Sequence, residues 1–196
     1  SSHTRLGEIP HPWLLYVGSE LPRKNINGLL NIVAEVRNYV PEVHLIKIGS
    51  SGGARFRGQT LEKIRQLGLT DQVLFFDDIT DEELFQFYKE ADILVHPSIL
   101  EGFCFPVLEA FACELPVICS NSGSLPEITA QAAIMHCPND LQSFVSSILN
   151  ILGNNYLREH IVSQGKIRAS QFSWEITADT MMAMYRQVAK VQRANG

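Results

Sequence analysis

The apolar residues of this chain gather into short unbroken runs separated by longer amphipathic stretches. Trp13 to Val17, Val43 to Ile48, Val73 to Phe76, Ile93 to His96 and Val117 to Ser120 read as strands, with a sixth over Ala133 to His136. Between them the period changes. From Asn25 to Val40, the residues Ile26, Leu29, Leu30, Val33, Val36 and Val40 recur at helical spacing, and Pro41 stops the pattern. Thr60 to Leu67 reads as a helix closed by Gly68. Thr80-Asp81-Glu82-Glu83 is a capping box that opens a helix running to Glu90. Further helices are predicted over Val107 to Cys113, Leu141 to Leu152, Tyr156 to Ser170 and Trp174 to Val191. Gly49-Ser50-Ser51-Gly52-Gly53-Ala54 reads as an exposed loop.

Strands that are continuously apolar, rather than alternating, are buried on both faces. Their alternation with helices predicts an α/β fold: a Rossmann-like, doubly wound parallel sheet of about six strands, with helices on both faces. In such sheets ligands sit beyond the carboxyl ends of the strands. Gly18, Gly49, Asp77, Pro97 and Ser120 all stand at strand ends, so the segments after them converge on one edge.

Composition narrows the function classes. A chain of 196 residues, 45% hydrophobic and 19% charged, suits one domain with a sizeable core. A net charge of −5 argues against nonspecific nucleic-acid binding, while leaving room for a local basic pocket. No run approaches the roughly 18 apolar residues of a membrane span. Ser1 to Pro12 is polar, lacks the apolar run of a signal peptide and reads as a linker ahead of a domain over residues 13–196. The four cysteines, Cys104, Cys113, Cys119 and Cys137, fit no metal spacing, and three lie in apolar stretches expected to be buried. They read as reduced core residues of a cytoplasmic protein. The six histidines show no i, i+4 pair, so no metal site is expected.

The richest chemistry lies after the fourth strand, in Glu101-Gly102-Phe103-Cys104-Phe105-Pro106-Val107-Leu108-Glu109. Two carboxylates bracket a strand-to-helix turn. Gly102 leaves room for a ligand beside the backbone, and Pro106 suits the first turn of a helix. The N–H groups of such a turn favour an anion such as phosphate. Glu109, one turn into the helix, is placed to accept hydrogen bonds from sugar hydroxyls. The ordinary alternative for Glu109 is a helix-dipole glutamate, and spacing alone leaves the acid–base pair of a glycosidase open. After the first strand come Gly18 and Ser19, then Arg23-Lys24-Asn25. Arg grips a diphosphate bidentately and Lys adds a point charge, although a basic pair is more often simply solvated. There is no Asp-x-Asp, no G-x-G-x-x-G after a strand and no G-x-x-x-x-G-K, which argues against metal-chelating, dinucleotide and P-loop readings. His96 reads as packed or hydrogen-bonded rather than catalytic.

The stretch from Pro97 to Ile118, with its Glu-x7-Glu spacing, resembles the retaining GT-B glycosyltransferases of glycosyltransferase family four. So do Tyr16-Val17-Gly18-Ser19 with Arg23-Lys24-Asn25, the segment Val73 to Asp92, Gly123-Ser124-Leu125-Pro126-Glu127, and Phe172-Ser173-Trp174-Glu175. The resemblance covers about Trp13 to Lys190. It implies the nucleotide-sugar-binding half of a two-domain enzyme, with the acceptor-binding half absent. It implies that Glu101 and the N–H groups of Gly102, Phe103, Cys104 and Phe105 bind the donor sugar, and that Glu109 binds the ribose. Arg23 and Lys24, with Glu101, would carry the catalysis, and Gly18, Ser19 and Asn25 would line the donor. It further implies a nucleoside diphosphate sugar as donor, UDP-sugar ahead of GDP-sugar, with no further cofactor and no metal. The expected acceptor is a hydroxyl of a glycan or lipid-linked sugar, reached through the absent half. A lipid-linked acceptor would bring the full-length protein to the inner face of a membrane. Two departures stand out. The family usually has glycine at the positions of Cys104 and Glu114, so a positive φ there would be strained. A GT-B epimerase, a phosphorylase-like protein and an inactive nucleotide-sugar-binding module remain as alternatives.

Overall fold

The computed structural model describes residues 9–194, and side chains as far as Gln187. Six strands, β1 (Trp13–Val17), β2 (His44–Ile48), β3 (Val73–Phe76), β4 (Ile93–His96), β5 (Val117–Ser120) and β6 (Ile134–His136), form one sheet in the order β3-β2-β1-β4-β5-β6. Every pairing is parallel, with Leu14 opposite Leu45 on one side and Ile93 on the other. The winding direction reverses between β1 and β4, which opens a crevice there at the carboxyl edge.

The described residues form eight helices besides: α1 (Ile26–Arg37), α2 (Ala54–Gln66), α3 (Asp81–Glu90), α4 (Phe105–Ala112), α5 (Leu125–Thr129), α6 (Leu141–Gly153), α7 (Asn155–Ala169) and the largely exposed α8 (Trp174–Ala194). Period-2 geometry divides each strand between two cores. Leu14, Leu45, Val95 and Ile118 meet the apolar faces of α1 and α6. Leu15, Ile46, Leu94 and Val117 meet those of α3, α4 and α5. The predicted doubly wound sheet is therefore the observed one. Among the described residues no helix is long and apolar enough to cross a membrane.

Boundaries moved where no apolar period marked them. α2 begins at Ala54, six residues before the expected Thr60, so the expected Gly49–Ala54 loop ends at Gly53. Its first turns, Arg55-Phe56-Arg57-Gly58-Gln59, carry no apolar stripe to read. α1 stops at Arg37 rather than Val40 because Asn38 closes it, although Val40 still packs on the core. α4 begins at Phe105, two residues before the expected Val107, with Pro106 in its first turn. α5 and a 3-10 turn over Pro22–Lys24 are short elements that the apolar pattern does not mark. The capping box of α3 is present on both sides, Thr80 to Glu83 N–H and Glu83 to Thr80 N–H. Of the expected linker, Ser1 to Glu8 lies outside the described residues. Residues 9–12 belong with the domain: Ile9 is buried, and the Trp13 indole donates to the carbonyls of Ile9 and Pro10. Cys104 and Cys119 are buried as expected, whereas Cys113 is only half-buried.

One charge lies inside the sheet. Lys47, fully buried on β2, pairs with the equally buried Glu20 at 3.1 Å and donates to the carbonyls of Gly49 and Ser50. Arg57 joins Glu20 at 2.8 Å to Asp77, with a bond of 2.6 Å, and lies over the Phe75 ring. These four side chains tie the loops after β1, β2 and β3 to the start of α2.

α4, which carries the motif, is wedged between the sheet and α7. Its buried Phe111 leaves no room at Gly165 on α7, where a Cβ would lie 2.6 Å from the ring. A Cβ at Gly58, in the middle of α2, would meet open space. Gly58→Ala should therefore raise stability by about 0.5–1 kcal/mol through helix propensity. Gly165→Ala should lower it by about 1–3 kcal/mol by overpacking. Urea unfolding of the two variants checks this, and equal shifts of the same sign would contradict the wedge.

Candidate functional site

The loops after β1 and β4 face each other across the crevice. The 3-10 turn presents Arg23 and Lys24, and the Arg23 carbonyl accepts from the N–H groups of Ile99 at 2.8 Å and Leu100 at 3.4 Å. Asn25, in the left-handed conformation at φ 55°, locks the junction. Its side chain caps α1 through the Gly28 N–H and donates to the carbonyls of Pro97 at 3.0 Å and Pro138 at 3.2 Å. Asn25 thus holds three segments together.

Glu101 is the meeting point. Its carboxylate is 5% exposed. Oε1 lies 2.6 Å from Lys24 Nζ and 2.8 Å from His96 Nε2. Oε2 lies 3.8 Å from the half-exposed Arg23. The two cations expected to bind a diphosphate are therefore also partners of the first glutamate. Burial would raise the carboxyl's pKa, but hydrogen bonds from His96, Lys24 and Ser98 outweigh it and hold the group at about 2. Gly123, at φ 60°, lets the next loop touch the Glu101 backbone, where a Cβ would lie 2.8 Å from the carbonyl oxygen. The Ser124 hydroxyl donates to that same carbonyl at 3.2 Å.

Beyond Glu101 the chain opens. Gly102 has nothing within 4 Å of where a Cβ would stand. Among the described residues, the N–H groups of Gly102, Phe103, Cys104 and Phe105 find no acceptor in the chain, and they sit at the N-terminus of α4. Unspent N–H groups at a helix N-terminus favour an anion, which is the chemistry expected of this turn from its sequence. Cys104 caps α4 at φ 75°, and Glu114 follows its end at φ 62°. Both departures from glycine therefore fall in the left-handed region. Burial pushes the Cys104 thiol up to about 12, with the Glu101 charge adding to it, so the sulfur stays protonated.

Glu109 lies one turn into α4, as expected, and Oε2 accepts from the buried Tyr88 hydroxyl at 2.6 Å. Beside it is an open cavity of about 490 Å³ walled by Phe103, Phe105, Leu108, Phe172 and Trp174. Gly18 and Ser19 stand at the end of β1. The Gly18 N–H is spent on Ile48, and a Cβ there would meet the Tyr16 hydroxyl at 2.9 Å. Tyr16 donates to the Ser19 carbonyl at 2.9 Å.

Arg23, Lys24 and Glu101 were legible as site candidates and His96 as a packed or hydrogen-bonded residue; that His96 and Lys24 share one oxygen of Glu101 was not. Tyr88, Gly123 and Ser124 carried no signal beyond their place in family-like segments. His96 did: a polar residue ending an apolar strand is a buried group that needs a partner. His96, Glu101 and Cys104 place ligand atoms within 4.8 Å of one another, a set that could hold zinc. Here the Lys24 ammonium already occupies Oε1 and the thiol is protonated.

The model of the family described as "Glycosyl transferases group 1" matches residues 9–168. O-antigen chain mannosyltransferase B of Escherichia coli is 36% identical over 168 residues, which cover 83% of this chain and 42% of that protein. Sucrose-phosphate synthase of Thermosynechococcus elongatus superposes with a TM-score of 0.82 at 29% identity, over 93% of this chain and 47% of that one. Anabaena HepE, solved in complex with UDP-glucose, gives a TM-score of 0.82 at 22% identity, over 94% and 50%. The chain thus spans about half the length of these relatives.

Because Glu101's pKa is lowered from 4.5, its contribution to stability is fully present above pH 4.5 and is lost as the pH falls through about 2. The loss should reach about 2–3 kcal/mol in the parent. Glu101→Gln should flatten that part of the stability–pH curve. Urea midpoints measured from pH 7 to pH 3 report it, and parallel curves for the two proteins would refute the depressed pKa.

Proposed function

We propose, on the premise that this chain belongs to the glycosyl transferases of group 1, that it is the donor half of a transferase that moves a sugar from a nucleoside diphosphate to a hydroxyl acceptor. The observation that carries the reading is the meeting of Arg23, Lys24 and Glu101 with four unspent N–H groups across the β1/β4 crevice. Cations and N–H dipoles aimed at one point suit a departing diphosphate, whose charge grows as the glycosidic bond breaks. Arg23, the more exposed of the two, takes the diphosphate. Lys24 bridges diphosphate and Glu101. The open turn from Gly102 to Phe105 receives the sugar, and Glu109, with one oxygen held by Tyr88, accepts from the ribose.

Retention of anomeric configuration and metal independence belong to the same reading. The chain has no Asp-x-Asp, and two side-chain cations stand where a chelated metal would otherwise neutralise the diphosphate. UDP-sugars come first among the donors, in line with the UDP-glucose complex of the Anabaena structure. The acceptor wall belongs to a second half, and the exposed Trp174, Ile176, Met181, Met184 and Tyr185 of α8 are an apolar surface for it. A reaction whose rate rests on positioning needs both walls. The work would be cytoplasmic, and at the inner face of the membrane for a lipid-linked acceptor.

Calorimetry with UDP, GDP and their sugar conjugates tests the division of labour. Arg23→Ala or Lys24→Ala should weaken the diphosphates by ~1.5–3 kcal/mol, the range of charge-assisted hydrogen bonds, and leave the bare nucleoside unaffected. Unchanged diphosphate binding in both variants would remove the basic pair from the site. Glu109→Ala should weaken diphosphate and sugar conjugate alike, whereas Glu101→Ala should weaken the conjugate alone. Equal losses across both ligands in both variants would refute that split. The chain joined to its second half should transfer sugar in EDTA, and the chain by itself should bind donor without transfer. Donor binding with no transfer by the longer protein would instead favour a binding module.

A further inference from the structure

We propose that His96 is a positioning residue: its neutral Nε2–H tautomer fixes Glu101 by occupying Oε1, leaving Oε2 as the oxygen that faces the sugar. The inference rests on the donor-site reading above for its second half only. Its first half, the tautomer, stands on the fold.

His96 ends β4 and is fully buried. Its ring stacks on Tyr16 of the neighbouring strand, with centroids 5.5 Å apart and planes 17° from parallel. The stack fixes the ring plane and aims Nε2 at Glu101 Oε1, 2.8 Å away, with the Ser98 hydroxyl at 3.1 Å. Nδ1, on the other side, is buried without a partner. That vacancy decides where the proton sits. With the proton on Nδ1, a buried N–H would be orphaned, and two lone pairs would face each other across 2.8 Å. With the proton on Nε2, the short contact becomes a hydrogen bond to a carboxylate, and only an acceptor goes unpaired. A lost hydrogen bond to a charged partner is the more costly error. The doubly protonated ring is disfavoured by burial and by the nearby Lys24 ammonium, against the pull of Glu101.

The consequence is a division between the two carboxylate oxygens. Oε1 receives Lys24 and His96 and has little capacity left. Oε2, among the described residues, has the Arg23 guanidinium as its ion-pair partner, at 3.8 Å. A hydrogen-bonded carboxylate with one saturated oxygen cannot rotate, so a sugar hydroxyl meets Oε2 in one orientation. The Tyr16–His96 stack also joins the two sides of the crevice, since the Tyr16 hydroxyl holds the Ser19 carbonyl after β1. His96 is thus the link from the floor of the crevice to the sugar-facing oxygen.

Two measurements test this. Long-range ¹H–¹⁵N spectra of the uniformly labelled protein, with His96 assigned by its loss in His96→Gln, should show a protonated Nε2 and a bare Nδ1 at pH 7. A protonated Nδ1, alone or with Nε2, would overturn the proposal. The second measurement is the ratio of affinities for UDP-glucose over UDP and for GDP-mannose over GDP. Glutamine places an amide donor near Nε2, and asparagine places one near Nδ1. His96→Gln should keep the parent's ratio within about threefold. His96→Asn should cut it about tenfold while diphosphate binding stays within about twofold. An asparagine variant with the parent's ratio, or equal losses in both variants, would overturn the positioning role. Should the asparagine variant fail to fold, the tautomer measurement and the glutamine variant still decide the matter. A parent that binds no nucleotide sugar, yet shows the Nε2–H tautomer, would sink the donor-site reading and leave the tautomer assignment standing.

Discussion

The site depends on keeping the Glu101 carboxylate charged while it is almost out of water. A lone buried carboxylate would take up a proton instead, because desolvation penalises the charged form. Here Lys24 arrives from the turn after β1, His96 from the end of β4 and Ser98 from the loop between, and together they win over burial. His96 and Ser98 are near Glu101 in sequence, but Lys24 is 77 residues away and meets it only because β1 and β4 are neighbours in the sheet. The parallel sheet, the reversal of its winding and the junction built by Asn25 serve this one ion cluster. A charge bound this way is already oriented before a ligand arrives, so less ordering remains to be done on binding.

Backbone strain gathers at the same place. Cys104, at φ 75°, lies between Glu101 and the first turn of α4, and Glu114, at φ 62°, follows that helix's end. Non-glycine residues in this region cost of order 1 kcal/mol each. α4 is therefore held between two unfavourable residues, and it stays in place because Phe111, Val107 and Ala110 are fully buried beneath α7. At Cys104 the side chain is buried against the Glu101 site. A methylene and a sulfur thus fill space that glycine would leave empty, which narrows the room beside the open turn from Gly102 to Phe105. At Glu114 the side chain is exposed and makes only a surface pair with Lys166. Surface pairs contribute little, so the strain there is hardly offset.

How far the sequence could be read follows from what each signal depends on. The strands were legible because runs such as Ile93 to His96 are buried on both faces, which leaves no ambiguity of period. The α3 start was legible because a capping box is local chemistry. The start of α2 was not, since Arg55, Arg57 and Gln59 form no apolar stripe and Arg57 is anchored by tertiary partners, Glu20 and Asp77. The candidate site divided in the same way. Arg23, Lys24, Glu101 and Glu109 stand out by charge and by position at strand ends. Tyr88, Gly123 and Ser124 do not, because they matter through contacts across 21 to 23 residues of chain, whereas His96, five residues from Glu101, is marked as a polar residue ending an apolar strand. Asn25 was read as lining the donor; its side-chain contacts are a helix cap and two carbonyls, a role that only the folded junction reveals.

Two ion clusters thus lie along one sheet edge, and they differ in a way that bears on function. The cluster of Lys47, Glu20, Arg57 and Asp77 is balanced in charge, and its Lys47 and Glu20 are sealed from solvent. It fixes the loops after β1, β2 and β3, and burial lowers Lys47's pKa against the pull of Glu20. The cluster at Glu101 carries two cations to one carboxylate, with Arg23 half in water and free N–H groups beside it. Among the described residues no further anion meets its surplus positive charge. A balanced, closed network is what a scaffold needs. An unbalanced, open one has room for an anion, and a diphosphate, the ligand proposed above, would supply the charge that the second cluster lacks.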